Sequence, residues 1–467
     1  MIKRLLLLEF NELSPALLQK WIAAGKLPHF KAFYEQSQAY VTVADAEPPA
    51  LEPWIQWYSI HTGLDFGQHR VFRLTDGARA AHNDIWTVLQ NAGLKTANCS
   101  SMNSRGTSAS GCFFLPDPWN TETPPFPPEL QPFHRFVSAQ VRDHTNPARR
   151  GAAYLSDFLR FAVGHGLRPR TVAKILRQLA SERMTRCDVR WRRVEILDLI
   201  QTDIFLYYLQ KMRPDFSTFF LNSTAHLQHA YWRYMEPQSF AATPVPEEIE
   251  SYGDAILHGY QNMDRLLADF FRLEEDGVTL VMATALSQQP FLRYESSGGQ
   301  RFYRPRNLPA LLELVGIRSC RAEPLMAHQY LLRFDDATEQ QRSLELISQI
   351  RYGQRPALAA HSNGDLSICV ASDLLEEAPP DAKITIDTPA RVERPFSEFF
   401  YLIEETKSGY HHPEGVLWFK TGQGRRHEQK VSILDIFPTI LDFMGINYSR
   451  SEAHPIKGRS LVADWPR

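Results

Sequence analysis

The chain has few cysteines for its 467 residues: Cys99, Cys112, Cys187, Cys320 and Cys369, with no pair in C-x-x-C spacing. That argues against a disulfide framework or a structural thiolate-zinc site, and it fits a reducing compartment. Charge of one sign is missing too. Lys and Arg number 51 against 53 Asp and Glu, a formal net charge of -2, so no global field points to nucleic acid or membrane as the main partner. No long apolar run is present near the start. Met1-Ile2-Lys3-Arg4 is followed by four leucines before Glu9, too short for a signal-peptide core or a membrane span. The expectation is a soluble, cytoplasmic protein with no membrane span. Internal repeats, GxGxxG, P-loop and GxSxG motifs are absent as well.

What is present reads as α/β. The length allows one large domain with an insertion, or two or three domains, and the apolar fraction of 43% is ordinary. Leu5 to Leu8 form a continuous apolar run without alternation, expected for a buried parallel strand. Glu9 and Asn11 follow. A helix is expected next, with Ser14 as N-cap, Pro15 in the first position, an apolar face of Leu17, Leu18, Trp21 and Ile22, and Gly25 at its end. In a doubly wound sheet ligands bind at the carboxyl ends of strands, so Glu9 stands in a functional position, the alternative being a loop carboxylate that caps a helix. Further helices are read at 55–63, closed by Gly63, and at Ile85–Leu89. Further strands are read at Leu94–Cys99, Phe216–Leu221, Leu280–Met282 and Val416–Phe419. Ile436, Phe437, Ile440, Leu441 and Met444 make a helical stripe with Asp435 as N-cap and Gly445 as its stop.

Two stretches interrupt this pattern. Residues 116 to 132 hold seven prolines, a density that no helix or central strand tolerates. From Arg168 to Arg193, nine Lys or Arg stand against Glu182 and Asp188. A solvated helix face is the plainer reading of that block; a site for an anionic substrate or a membrane surface is the alternative. Residues from about 292 to 400, with Gly298-Gly299 and Pro379-Pro380, read as a cap. The expected organisation is a core of 1–115, 200–291 and 401–467, a Pro-rich linker with a basic helical insertion at 116–199, and a cap or insertion at 292–400.

Two histidine clusters draw the chemistry together. His226 and His229 are spaced i, i+3 and share a face if helical. His411 and His412 stand in a Gly/Pro-bounded turn between Gly409 and Gly415. Tyr231, Trp232, Trp54 and Trp57 would suit a sugar or nucleotide platform, the alternative for each being core packing.

Several segments, in order, resemble the alkaline phosphatase superfamily, nearest its type I phosphodiesterase/nucleotide pyrophosphatase branch. They are the first strand with its acidic end, Gly25-Lys26-Leu27-Pro28, Ser59-Ile60-His61-Thr62-Gly63 with His69, His229-Ala230-Tyr231-Trp232, His411-His412-Pro413-Glu414-Gly415-Val416, and Ile433-Leu434-Asp435-Ile436-Phe437-Pro438-Thr439-Ile440-Leu441. The resemblance implies a three-layer αβα sandwich with a mostly parallel sheet. It also implies a two-metal site with a Thr or Ser nucleophile, and that part does not carry over. Glu9 takes the place of the first Asp, Pro53 falls where the nucleophile should be, and Ala225, Ala285 and Leu286 replace three further ligands. His229 and His411 remain. One carboxylate alone does not hold zinc, which takes at least three protein ligands.

Three readings stay open. His229 and His411, joined by His226 or His412, hold one divalent metal, zinc or manganese. Alternatively no metal binds, and Glu9 or Glu52 with a histidine does acid–base work. Otherwise the chain is a pseudoenzyme that uses the cleft to bind a ligand or partner. The expected site gathers Glu9, Glu52, His226 and Gln288 as catalytic residues and His229, His411 and His412 as metal ligands. The reaction class is hydrolysis or transfer of a phosphate, phosphodiester or sulfate ester, with a small-molecule ester, nucleotide or carbohydrate as ligand and no nucleic acid.

Overall fold

The apolar run after Lys3 becomes the middle strand of a nine-stranded sheet. The computed structural model describes residues 3–109, 111–142, 152–297, 302–325, 329–362, 366–372, 378–387, 391–403, 407–448 and 455–466; Gly298-Gly299 lie outside them. In chain order the strands that build the site are β1 (Arg4–Phe10), β2 (Ser37–Val43), β3 (Thr96–Cys99), β4 (Phe113–Leu115), β5 (Phe216–Leu221), β6 (Val278–Ala283), β7 (Ser287–Pro290), β8 (Gly409–His412) and β9 (Glu414–Lys420). The helices used below are α1 (Pro15–Ala23), α2 (Pro53–Thr62), α3 (Ala152–Gly164), α4 (Pro169–Met184), α5 (Arg193–Met212), α6 (Ser223–Met235), α7 (Ala255–Phe271) and α8 (Ile436–Phe443).

Across the sheet the order is Arg425–Arg426, β2, β9, β6, β1, β5, β3, β4, with Val431–Ser432 also on β2. β6, β1, β5, β3 and β4 run parallel. β9 is antiparallel to both its neighbours, β2 and β6. Both faces of β1 are covered, which is why its residues are apolar without alternation. Leu6, Leu8 and Phe10 pack with Leu17, Phe205, Leu227 and Tyr260 of α1, α5, α6 and α7. Leu5 and Leu7 pack on the other side with Trp57 and Ile60 of α2 and Ile436 and Ile440 of α8. The result is a three-layer αβα sandwich with a mostly parallel sheet, the fold class expected from sequence. Strand β1 runs two residues beyond Leu8, and the extension decides where its carboxylates point. The expected turn at His411-His412 is instead strand β8, paired antiparallel with β7 so that His411 lies opposite Gln288.

Residues 303–402 have a core of their own, with Leu311, Ile347, Ile384 and Phe400 at its centre. It is built on two four-stranded antiparallel sheets.

The basic block is only partly solvated, because several of its charges dock α4 on the body. Asp203 of α5 is buried and accepts from the Arg168 backbone N–H at 2.9 Å and from the Thr171 hydroxyl at 2.6 Å. It also pairs with the Arg168 guanidinium, which reaches Asp269 at 3.1 Å. Lys174 pairs with Glu195 at 2.8 Å, and Gln178 donates to the Val189 carbonyl at 2.8 Å. Removing the Asp203 carboxylate leaves the Arg168 N–H and the Thr171 hydroxyl without their acceptor and the Arg168 guanidinium with Asp269 alone. Asp203→Ala is expected to cost about 3 kcal/mol of folding stability in urea denaturation, while a substitution of exposed Arg177 stays within about 0.5 kcal/mol.

Candidate metal centre

The carboxyl ends of β1, β5 and β6 deliver their turns to one edge of the sheet. After Phe10 the chain passes through Asn11 to Glu12, whose φ of 61° lies in the left-handed region. A non-glycine residue there is strained, and such strain persists where the surroundings over-determine it. The surroundings do so here. The Asn11 amide donates to Glu12 Oε1 at 2.8 Å and to Asn222 Oδ1 at 2.7 Å, and its oxygen accepts from Trp57 Nε1 at 2.8 Å. Gln228 of α6 donates to the Glu12 carbonyl at 2.8 Å and accepts from the Tyr260 hydroxyl at 2.9 Å.

The Glu12 carboxylate is thereby turned toward α6 and β8. Its Oε2 lies 3.3 Å from His229 Nε2 and 3.7 Å from His411 Nε2. The three donor atoms all fall within 4.8 Å of one another. Gln288 of β7 donates its amide to the same carboxylate oxygen and, at 3.0 Å, to the Ala225 carbonyl. Close packing holds β8 in place: a Cβ on Gly409 would meet the Gln228 carbonyl and Gln288 Oε1 at 2.3 Å each.

The protonation pattern favours a cation at this spot. His229 Nδ1 is 3.0 Å from the Gly409 carbonyl, which can only accept a hydrogen bond; a neutral His229 that donates there turns its Nε2 lone pair toward Glu12. His411 Nδ1 faces Glu52 Oε2 at 3.5 Å, and its buried Nε2 has no hydrogen bond. With both rings neutral and their protons on Nδ1, two imidazole lone pairs and a carboxylate converge on one spot. A divalent ion makes that arrangement favourable, and two histidines with one carboxylate are a known zinc donor set with room for a further ligand. The residues fit the group.

Charge states follow from burial. Burial raises the Glu12 carboxyl, but His411 and His229 outweigh it and hold the group at about 2. Burial pushes His411 down to about 4, only partly offset by Glu12, so its imidazole is neutral and able to ligate at neutral pH. Burial pushes Glu52 up to about 8, with Lys407 opposing and Glu12 adding to the rise. Lys407 is itself lowered by burial, against the pull of Glu52 and Glu12. Its ammonium lies 5.1 Å over the Tyr410 ring and 5.2 Å over Phe291.

Of the residues expected from sequence, the structure brings together His229, His411, Gln288 and Glu52. His412 points to the other side of β8, where its Nδ1 accepts from the Glu414 N–H at 3.2 Å. His226 lies one turn back on α6, half-buried and outside the three converging donors. Glu9 lies within β1 on the opposite face of the sheet and meets His61 Nε2 at 2.8 Å. Pro53 opens α2, directly after Glu52. Ala225, Ala285 and Leu286 are buried, so these positions offer no side-chain donors for a second metal. Trp57, Tyr231 and Trp232 are core residues, unavailable as a sugar or nucleotide platform. Trp54 is half-buried and donates to the Phe72 carbonyl at 2.9 Å. Glu12, Asn11 and Lys407 were missed from sequence; the usable signal was a polar Asn-Glu pair immediately after the first strand.

No family model matches the sequence, and no curated protein matches it. Solved structures do. Phosphonoacetate hydrolase from Sinorhizobium meliloti 1021, in complex with phosphonoformate, covers 93% of this chain and 94% of its own at 13% identity and a TM-score of 0.41. Human ectonucleotide pyrophosphatase/phosphodiesterase 5 covers 96% of each chain at 9% identity and a TM-score of 0.40. An inactive murine form of the latter, in complex with AMP, covers 95% of this chain at 9% identity and a TM-score of 0.39.

The site should be sensitive to acid when no cation is bound. His411 sits below its ordinary 6.5, so the unfolded chain takes up its proton first and stability falls as pH drops from 6.5 toward 4. Glu12 sits below its ordinary 4.5, and its contribution is lost as pH falls further toward 2. In chelator, urea denaturation across this range should show His411→Gln flattening the upper window relative to the parent chain, and Glu12→Gln the lower.

Proposed function

We propose that this chain is a divergent alkaline-phosphatase-superfamily protein that binds one divalent cation and hydrolyses or transfers a phosphate, phosphodiester or sulfate ester. The observation that carries the reading is the convergence of Glu12 Oε2, His229 Nε2 and His411 Nε2 within 4.8 Å, with His411 Nε2 buried and lacking a hydrogen bond. Those three residues would hold the cation, which would supply Lewis-acid charge beside the scissile bond. Zinc suits the two imidazoles, and manganese is the alternative.

The protein's own groups divide the remaining work. The Gly409 carbonyl and Gln288 orient the ligands His229 and Glu12. Glu52, its carboxyl pushed up to about 8 and its side chain partly exposed at the N-terminus of α2, would give its proton to a departing ester oxygen. Its neighbour Lys407 offers a cation to an anionic substrate. No hydroxyl stands at position 53, so water is the nucleophile in this reading. A second reading is a binding protein that keeps the cation and cleft without turnover, favoured by the buried Ala225, Ala285 and Leu286 where a second metal would need ligands.

Metal content by mass spectrometry checks the first step: about one zinc or manganese per chain is expected, lost in His229→Ala and Glu12→Ala. None, even after soaking, overturns the cation reading. A screen of phosphate, phosphodiester and sulfate esters with the metal-loaded chain then separates enzyme from binding protein. On any ester turned over, the rate should fall as pH rises through about 8, where Glu52 loses its proton. Glu52→Gln should lower the plateau at least about tenfold and remove that limb.

A further inference from the structure

Helix α4 is mounted the reverse of the usual way. A surface helix ordinarily turns its apolar stripe to the core and its polar face to water. In α4, Thr171, Lys174, Gln178 and Glu182 face the protein, bonded to Asp203, Glu195, the Val189 carbonyl and Arg193. Ile175 is its one apolar residue that packs inward. Val172, Leu176 and Leu179, spaced i, i+4, i+7 and so on one face, are exposed instead, Leu176 to 62% and the final Met184 to 83%. The preceding helix α3 buries Phe158, Phe161 and Ala162 in the usual way but also exposes an apolar row, Leu155, Leu159 and Val163, at i, i+4, i+8. Rows of exposed apolar side chains of this kind mark a binding face.

Charge identifies what covers it. Arg168, Arg170, Lys174 and Arg193 are engaged with buried or partly buried acids. Arg177, Arg183 and Arg186 are exposed, beside or just beyond the apolar stripe. An exposed apolar face flanked by arginines is the pattern of a helix that lies in a membrane interface, its apolar side among the acyl boundary and its cations at anionic headgroups. A second copy fits less well, since a two-fold interface sets each patch against itself and brings like charges together. Among the described residues no helix is long and apolar enough to cross a membrane, so attachment here is to one surface. We propose that α4, with the exposed side of α3, docks the protein peripherally on an anionic lipid bilayer.

Co-sedimentation of the full chain with vesicles tests this. Binding is expected to vesicles of phosphatidylcholine with about one-third phosphatidylglycerol, to weaken as salt is raised, and to be much lower on phosphatidylcholine alone. Leu176→Glu with Leu179→Glu should cut partitioning at least about tenfold. Arg177→Gln and Arg183→Gln should each cut it about fivefold. All four side chains are exposed, so circular dichroism and urea midpoints of these variants should match the parent. No binding to the anionic vesicles at low salt overturns the proposal, as does binding that the leucine substitutions leave unchanged. Concentration-dependent self-association that the leucine substitutions abolish, without vesicle binding, also overturns it and gives the face to a second copy.

Discussion

A buried carboxylate must find partners or lose its charge, and the architecture around Glu12 meets that requirement from four directions. Its turn follows the middle strand of the sheet, so the groups that meet the carboxylate come from the ends of neighbouring elements: Asn11 from the same turn, His229 from α6, Gln288 from β7, His411 from β8. His229, Gln288 and His411 are far apart in the chain. The order of strands β6, β1, β5 in the sheet, with the separate antiparallel pair of β7 and β8 that follows β6, makes them neighbours. The left-handed φ of Glu12 is the local cost of aiming the carboxylate at that meeting point.

The chain contains a second buried Glu–His pair, and the contrast is instructive. Glu9 and His61 meet at 2.8 Å with both side chains almost fully buried. That pair lies inside the layers, between β1 and α2, with His61 packed between the Trp57 and Trp86 rings. Glu9 Oε2 and His61 Nδ1 have no hydrogen-bond partner, but neither atom is aimed at a place where a substrate could enter. The Glu12 cluster keeps an opening, since the side chains of His229 and Glu52 are 27% and 32% exposed. Similar residue types thus serve packing on one side of the sheet and a reachable donor set at its edge.

The sequence was informative wherever a signal is local. The unbroken apolar run of β1, Pro15 and Gly63 at helix ends, and the stripe of α8 all name their elements directly. His229 and His411 were legible because their neighbours match a motif, and Gln288 because a polar residue stood near a lost ligand. Glu12 was hidden by register. In a strand, one residue more or less moves a side chain to the other face, and ending β1 at Leu8 rather than Phe10 makes Glu9 look like the residue at the strand's mouth. His412 was misassigned for the same reason, since a turn could present both histidines together, whereas a strand sends His411 inward and His412 out.

The basic block shows a different limit. Periodicity reveals that α4 has an apolar face and a polar face, but not which of them the protein keeps for itself. That choice rests on acids far along the chain. Asp203, Glu195 and Asp269 are buried or nearly so on α5 and α7, and buried carboxylates are far costlier to leave unpaired than exposed leucines are to leave in water. The helix therefore turns its cations and hydroxyls inward, and its leucines are left facing solvent. A face produced in this way is independent of the chemistry at the strand ends: it depends on the pairing of Asp203 and Glu195, not on Glu12. The proposed attachment and the proposed chemistry can therefore be tested separately in the same molecule, and a variant without the Glu12 donor set should still present Leu176 and Leu179 to solvent.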